Sequence, residues 1–391
     1  RIVGKAPVRA FQKIVQMAID KRVHAVLITG DVYTSADHNL TAQLDYVRLL
    51  HKLAQNNIQV FAVLGNHDPL EAWKAKIPFP PNVHIFPTES VERVPLVVDG
   101  EEVAAIYGQS YAKSEQRENL AWKFNRAAGD RFSIGMLHTQ VGSRESTYAP
   151  CTLEDLKECG MDYWALGHIH KQEILCEKPY IVYAGNPQGL DCTETGPRGC
   201  YYVEVGPYGT TELEFIDTSI VRWESIDLAI DGIESVSELR ESVRFAKEKV
   251  RREIGKPTFL TVNFTGSGSM YHVLNNPEAT LYWLDSWREE EQGKYAFVMV
   301  ERLRNLARPK INMDERSKLP DSVGDYLNVF DKMEKLAPEE KAKTLRDILM
   351  SRPEFERLGA YGRALTDQRL LETFEKAKWL GVQKLLEHRR G

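Results

Sequence analysis

Four short segments carry oxygen and nitrogen donors that suit one metal ion: Gly30-Asp31, Gly65-Asn66-His67-Asp68, His138, and Gly167-His168-Ile169-His170. A carboxylate, a carboxamide and several imidazoles meeting at one point form a mixed O/N site for a divalent cation. Singly, each has a plainer explanation. Asp31 reads as a turn residue, residues 65–68 as a loop, and His138 as a core histidine. His168 and His170 are sharper, because a two-residue spacing on an extended segment turns both rings to one side. All four together, in this order, point to a metal centre.

The fold must gather such a set. Three of the segments directly follow apolar runs that read as buried strands, at 23–29, 58–64 and 163–166, and His138 ends a shorter run at 134–137. Parallel strands of an α/β sheet bring their carboxyl ends to one rim. A helix at 7–20, with Phe11, Ile14, Val15 and Ala18 on one face, precedes the first strand, and a second helix occupies 40–55. Further strands are predicted near 83–86, 94–98, 103–107, 132–137, 162–166, 180–184 and 199–205. Their close spacing implies hairpins, and so a mixed sheet or a two-sheet sandwich.

Beyond the first 215 residues the pattern changes. Strands at 222–229, 258–264 and 295–300, with helices at 235–254 (Ser237 as its cap) and 277–291, make a small β-α-β-α-β module. Its first helix carries Lys247, Lys249, Arg251 and Arg252, and Arg302, Arg304, Arg308 and Lys310 follow its last strand. Helices are predicted at 321–335, 338–350 and 366–388. In the last, Leu370, Leu371, Phe374, Ala377, Trp379, Val382, Leu385 and Leu386 cover about half the circumference. An arc that wide implies burial on two sides, in its own bundle or against a partner.

The chain has 391 residues, enough for two or three domains, and its 42% hydrophobic and 27% charged residues are those of a soluble globular protein. No apolar run reaches the roughly 18 residues of a membrane span. Five cysteines without a C-x-x-C pair imply reduced thiols and a cytoplasmic protein. A net charge of −5 does not offer the basic surplus of many nucleic-acid binders, although bound cations and local patches offset this.

At the four segments the chain resembles the calcineurin-like metallophosphoesterases, whose signature is D-x-H, G-D, G-N-H-[DE], H and G-H-x-H. Within them it is most similar to the SbcD/YhaO-type DNA repair nucleases. Residues 28–33, 64–70, 165–170, Gly185-Asn186-Pro187-Gln188-Gly189 and 194–200 carry that likeness. The resemblance implies a four-layer α-β-β-α sandwich over 1–215, a DNA-capping β-α-β-α-β domain over 220–312, and a helical region over 321–391 that docks on an SMC-like ABC ATPase. It implies Asp31 bridging two manganese ions, His170 on the first, and Asn66, His138 and His168 on the second. His67 is the implied acid, which leaves the metals alone and protonates the leaving group. Asp68, next to it, is expected either to orient His67 or to serve as a turn residue. DNA-contact candidates are His38, Lys247, Arg251, Arg302 and Arg304. A homodimer through helices such as 40–55 is also implied.

The D-x-H element is not matched. The stretch before residue 23 corresponds to the helix that follows it, so the expectation is a native chain that extends upstream, with the first metal site incomplete here. The function expected is a metal-dependent DNA exo/endonuclease in DNA repair. The alternatives are a small-substrate phosphodiesterase or phosphatase of the same fold, and a catalytically weak scaffold subunit.

Overall fold

The computed structural model describes residues 2–32, 40–69, 77–143, 145–310, 313–356 and 366–387. The chain divides into two compact units. One comprises 1–225, 250–261 and 291–301, the other 226–249, 262–290 and 302–391.

The first unit is a four-layer sandwich. One sheet has three parallel strands in sequence order, β1 (Ala25–Ile28), β2 (Gln59–Ala62) and β3 (Val83–Ile85). The other has six: β4 (Glu92–Val98), β5 (Glu101–Gln109), β6 (Ser133–His138), β7 (Tyr163–Gly167), β8 (Glu173–Glu177) and β9 (Tyr180–Tyr183), ordered β4-β5-β6-β7-β9-β8. Strands β5, β6, β7 and β9 run parallel, and antiparallel β4 and β8 close the edges.

Period-two alternation on these apolar strands builds both faces at once. Ile106, Met136, Ala165 and Val182 point to Phe61, Val63 and Phe86, forming the core between the sheets. Their neighbours Tyr107, Leu137, Trp164, Leu166 and Ile181 point the other way, onto Leu120, Ala121 and Phe124 of a 3₁₀ turn and Leu156 of helix α3 (Leu153–Glu158). On the outer face of the small sheet lie α1 (Ile2–Asp20) and α2 (Leu40–Gln55). The stripe Tyr46, Leu49, Leu50 and Leu53 of α2 packs with Val15, Ala18 and Val60. Among the described residues no strand pairs with the outer edge of β1, whose four residues are all half-buried.

Helix α1 starts earlier than the expected Pro7, which lies inside it. Packing of Ala6 and Ala10 on Ile220 and Val221 extends it backwards. A hairpin of β10 (Gly199–Val205) and β11 (Thr211–Asp217) follows the large sheet. The module beyond has β12 (Arg222–Ala229), β13 (Thr258–Thr265) and β14 (Val298–Asn305) in that order, with helices α4 (Val236–Ile254) and α5 (Pro277–Glu289) between them in sequence. The cap of α4 is Ser235, whose Oγ accepts from Glu238 N at 3.2 Å, and not Ser237, which lies inside the helix.

The C-terminal helices are α6 (Ser322–Glu334), α7 (Pro338–Met350) and α8 (Asp367–Glu387). Val323 and Leu327 pack on Val382, and Phe330 lies 4.7 Å from Phe374, ring centroid to centroid. Leu370, Phe374 and Val382 of α8 are buried within this bundle, whereas Ala377 is exposed. No described helix is long and apolar enough to cross a membrane.

Candidate metal centre

The four segments meet at the carboxyl ends of parallel strands, but those strands belong to two sheets rather than one. Asp31 follows β1 and Asn66 follows β2 in the small sheet, while His138 ends β6 and His168 follows β7 in the large one. His138 and Gly167 are register partners. Facing sheets thus bring the four side chains together across the sandwich.

One donor atom from each of Asp31, His138 and His168 lies within 4.8 Å of the others. Asn66 sits among them. Its Oδ1 is 2.8 Å from His138 Nε2 and 3.1 Å from His168 Nδ1. His138 Nδ1 is 2.8 Å from the Thr29 carbonyl, which can only accept, so the ring proton sits on Nδ1. In the neutral ring Nε2 then turns a lone pair toward Asn66 Oδ1 and toward Asp31 Oδ2, 3.3 Å away. Acceptors that face one another need a positive charge between them. This donor set fits a divalent cation.

Electrostatics follow the same layout. Burial would raise the Asp31 carboxyl, but the adjacent His138 ring and the His67 N–H outweigh it and hold it below the usual carboxylate range. Burial, and then His138, push His168 down to about 4, which leaves its lone pair available to a metal. The Tyr148 ring covers His168, with centroids 4.5 Å apart, and Tyr111 meets His138 edge-on at 5.4 Å.

Three glycines make room for the His138 imidazole. A Cβ on Gly30 would lie 2.7 Å from Nδ1, and one on Gly65 2.6 Å from Cε1. One on Gly167 would collide with the Thr29 carbonyl. The three ligand segments around His138 open on glycine because its buried ring and the groups beside it occupy the space a side chain needs.

The loops are tied together by Asp68. Its carboxylate, 2% exposed, accepts from Asp31 N at 3.0 Å, Val32 N at 2.8 Å and Gly65 N at 2.7 Å. It therefore fixes the backbone of both ligand loops, which is a different task from the expected orientation of His67. His67 is exposed beside the site, with its backbone N–H on Asp31 Oδ1 at 2.8 Å.

His170 lies outside the cluster of three. The expected same-side arrangement with His168 assumed an extended segment. Strand β7 ends at Gly167, and His168 adopts a left-handed φ of +96°. The His170 Nδ1 meets Glu194 Oε1 at 2.5 Å, and this hydrogen bond raises the His170 pKa. Burial alone would raise Glu194, but His170, Leu190 N and Asn186 outweigh it and hold the carboxyl at about 2. Glu194 and Arg198 were visible only as part of the phrase 194–200, with no role that spacing could assign.

Of the DNA-contact candidates, His38 lies outside the described residues. Lys247 is only 2% exposed, its Nζ 3.4 Å from the Trp287 carbonyl and 3.5 Å from Glu290. A buried ammonium cannot reach a phosphate, so Lys247 is withdrawn as a contact. Arg251 bonds the Ala296 carbonyl at 2.6 Å and Glu291 at 2.9 Å, an internal strut. Arg302 and Arg304 are exposed on β14.

The calcineurin-like phosphoesterase family matches residues 5–172, and the middle domain of the metallophosphoesterase YhaO matches residues 223–308. The metallophosphoesterase YhaO of Bacillus subtilis is 33% identical over 304 residues, 77% of this chain and 74% of its own length. The DNA double-strand break repair protein Mre11 of Methanocaldococcus jannaschii is 25% identical over 280 residues, 65% of this chain and 72% of that protein. Mre11 of Sulfolobus acidocaldarius is 26% identical over 194 residues, 45% and 47% of the two chains.

Proposed function

Because the chain belongs to the calcineurin-like metallophosphoesterases, with a YhaO-type middle domain, we propose that it is a manganese-dependent DNA nuclease. The convergence of Asp31, Asn66, His138 and His168 carries the reading. Asp31, Asn66, His138 and His168 would hold one cation, and Asp31 and His170 would contribute to a second. Bound there, divalent cations neutralise a phosphodiester and supply a nucleophile of lowered pKa. His67, exposed at the mouth of the site, protonates the leaving oxygen. Asp68 keeps the two loops at the distance this requires, and Tyr148 holds the His168 ring from outside.

A polymeric substrate is favoured over a small one by the module at 223–308 and by the exposed pair Arg302 and Arg304. The names of the Mre11 relatives support double-strand break repair as the setting. For the SMC-like ATPase partner, the support is apolar surface on the C-terminal helices, where Val329, Ile348, Met350 and Leu380 are exposed. Leu40 and Leu44, exposed on α2, support a homodimer through that helix. The proposed compartment is the cytoplasm.

The test is hydrolysis of single-stranded DNA, double-stranded DNA and a chromogenic diester by this chain, with and without manganese. Manganese-dependent DNA cleavage supports the proposal. Diester cleavage without DNA cleavage replaces it with the small-substrate reading, and no cleavage of any substrate replaces it with the scaffold reading.

A further inference from the structure

The loop from Gly185 to Arg198 is moulded on His170. Glu194 Oε1 takes the His170 Nδ1 at 2.5 Å, while Oε2 accepts from Asn186 Nδ2 at 2.8 Å and Leu190 N at 2.7 Å. Both carboxylate oxygens are therefore fixed before any ligand arrives. The backbone of His170 is gripped as well. Its carbonyl accepts from Asn186 N at 3.0 Å and from the Arg198 guanidinium. Arg198 is buried and also donates to Asn186 Oδ1 at 3.3 Å and to the Thr195 carbonyl at 3.2 Å. Gly185, at φ +75°, has no room for a side chain, since a Cβ would lie 2.8 Å from the His170 carbonyl oxygen.

We propose that Glu194 is a positioning residue of the metal centre, fixing His170 as the Nδ1–H tautomer so that Nε2 is the nitrogen offered to a cation. The proposal rests on the phosphoesterase reading and goes beyond it by naming a residue that touches neither metal nor substrate. A neutral imidazole binds a cation through one nitrogen only, and the partner of the other nitrogen decides which. An ionised carboxylate accepts and cannot donate, so it places the proton on Nδ1.

The two histidines of the 168–170 segment are thus held in opposite senses. His168 presents Nδ1 to Asn66, one of the donor set, whereas His170 presents Nδ1 to Glu194, outside it. His138 has a neutral carbonyl as its Nδ1 partner, whereas His170 has a full negative charge. That charge makes the His170 ring a stronger donor at Nε2. The residues that ensure this, Asn186, Leu190 and Arg198, are the ones that otherwise look like a surface loop.

The test uses the full chain with 15N-labelled histidine, stripped of metal, and a manganese titration read by calorimetry. The wild-type His170 is expected as the Nδ1–H form, assigned by its absence in His170→Ala. In Glu194→Gln, whose amide can donate to Nδ1, the Nε2–H form should appear and manganese affinity should fall about tenfold. Glu194→Asp, which keeps the charge but retracts it, should fall between the two. An Nε2–H form in the wild type overturns the proposal even if the Gln variant fails to fold. An unchanged tautomer and affinity in a folded Glu194→Gln protein overturns it too. If the wild type binds no manganese, the phosphoesterase reading falls, and the tautomer comparison alone still decides the role of Glu194.

Discussion

Asp68 accepts the backbone N–H of Asp31 at 3.0 Å, so the last residue of one ligand loop holds the ligand residue of the other. With Val32 N and Gly65 N on the same carboxylate, the spacing of β1 and β2 at their carboxyl ends is set by one buried side chain. Asp68→Asn keeps the shape but turns an NH2 group toward backbone donors. The expected cost is about 2 kcal/mol, read as a lower urea midpoint, together with weaker manganese binding although Asp68 is no ligand. A variant with wild-type stability and wild-type affinity would show that the clamp is dispensable.

Gly167→Ala is predicted to be more damaging than its size suggests. The new methyl group collides with the Thr29 carbonyl and lies 2.8 Å from His138 Nδ1. Either the strand end or the imidazole must move, at about 1–3 kcal/mol for such overpacking, and the His138–Thr29 bond is lost in the second case. Gly4→Ala is the control. No atom lies within 4 Å of its added carbon, and Gly4 is helical, so stability should hold or rise. Equal thermal midpoints for the two variants would contradict the crowding described around His138.

Removal of His67 and of Asp31 should separate chemistry from metal binding. His67→Ala leaves Asp31, Asn66, His138 and His168 in place, so manganese content by elemental analysis should be unchanged while DNA cleavage drops by about 10²-fold or more. Asp31→Ala removes a carboxylate from the centre of the donor set and should lower the manganese content itself. Full cleavage by His67→Ala would remove it as the acid. Undiminished metal in Asp31→Ala would remove the bridging assignment.

The strand ends were legible because a parallel strand of the sandwich is a continuous apolar run that stops at glycine and a polar donor, as at Leu27-Ile28-Thr29-Gly30-Asp31. Which sheet each strand joins was not legible, since runs buried on both faces look alike. The direction of His168 depends on a left-handed backbone at a non-glycine residue, which no spacing rule anticipates. Glu194 was hidden for another reason. It lies 24 residues from His170, and only the folded loop makes them neighbours. Lys247, by contrast, was readable. It falls at the helical spacing of Leu239, Val243 and Val250, all buried, so periodicity placed it on the inner face while its charge suggested the outer one.

Exposed and buried cations of the module should differ in their effect on DNA binding. Arg302→Ala with Arg304→Ala removes two exposed cations, and binding to duplex DNA should weaken with a salt dependence shallower by roughly two phosphate contacts. Lys247→Met, by contrast, should leave the slope unchanged and affect only stability. Fluorescence anisotropy at several salt concentrations reads both. A reduced slope in Lys247→Met, or an unchanged slope in the double arginine variant, would reverse the assignment of the two surfaces.

Away from the metal centre, acid stability should depend on Asp130. The Asp130 side chain is 3% exposed and accepts from Arg93 Nη2 at 2.5 Å, Tyr107 Oη at 2.5 Å and Ser133 Oγ at 3.2 Å. Burial would raise its carboxyl, but Arg93 and then Tyr107 outweigh that and hold it below the ordinary range. A carboxyl lowered on folding stabilises the native state at pH values above its unfolded pKa of about 4. That contribution is lost as the pH falls through the lower folded value. Asp130→Asn never has it. The variant should be less stable by about 2 kcal/mol at pH 7, with the gap in urea midpoint constant down to about pH 5. Below about pH 4 the gap should narrow, because only the wild type has an ionised group to lose. A gap that stays constant from pH 7 to pH 3 would mean that Asp130 is not titrating differently in the folded and unfolded chains, and that its bonds to Arg93 and Tyr107 do not depend on its charge.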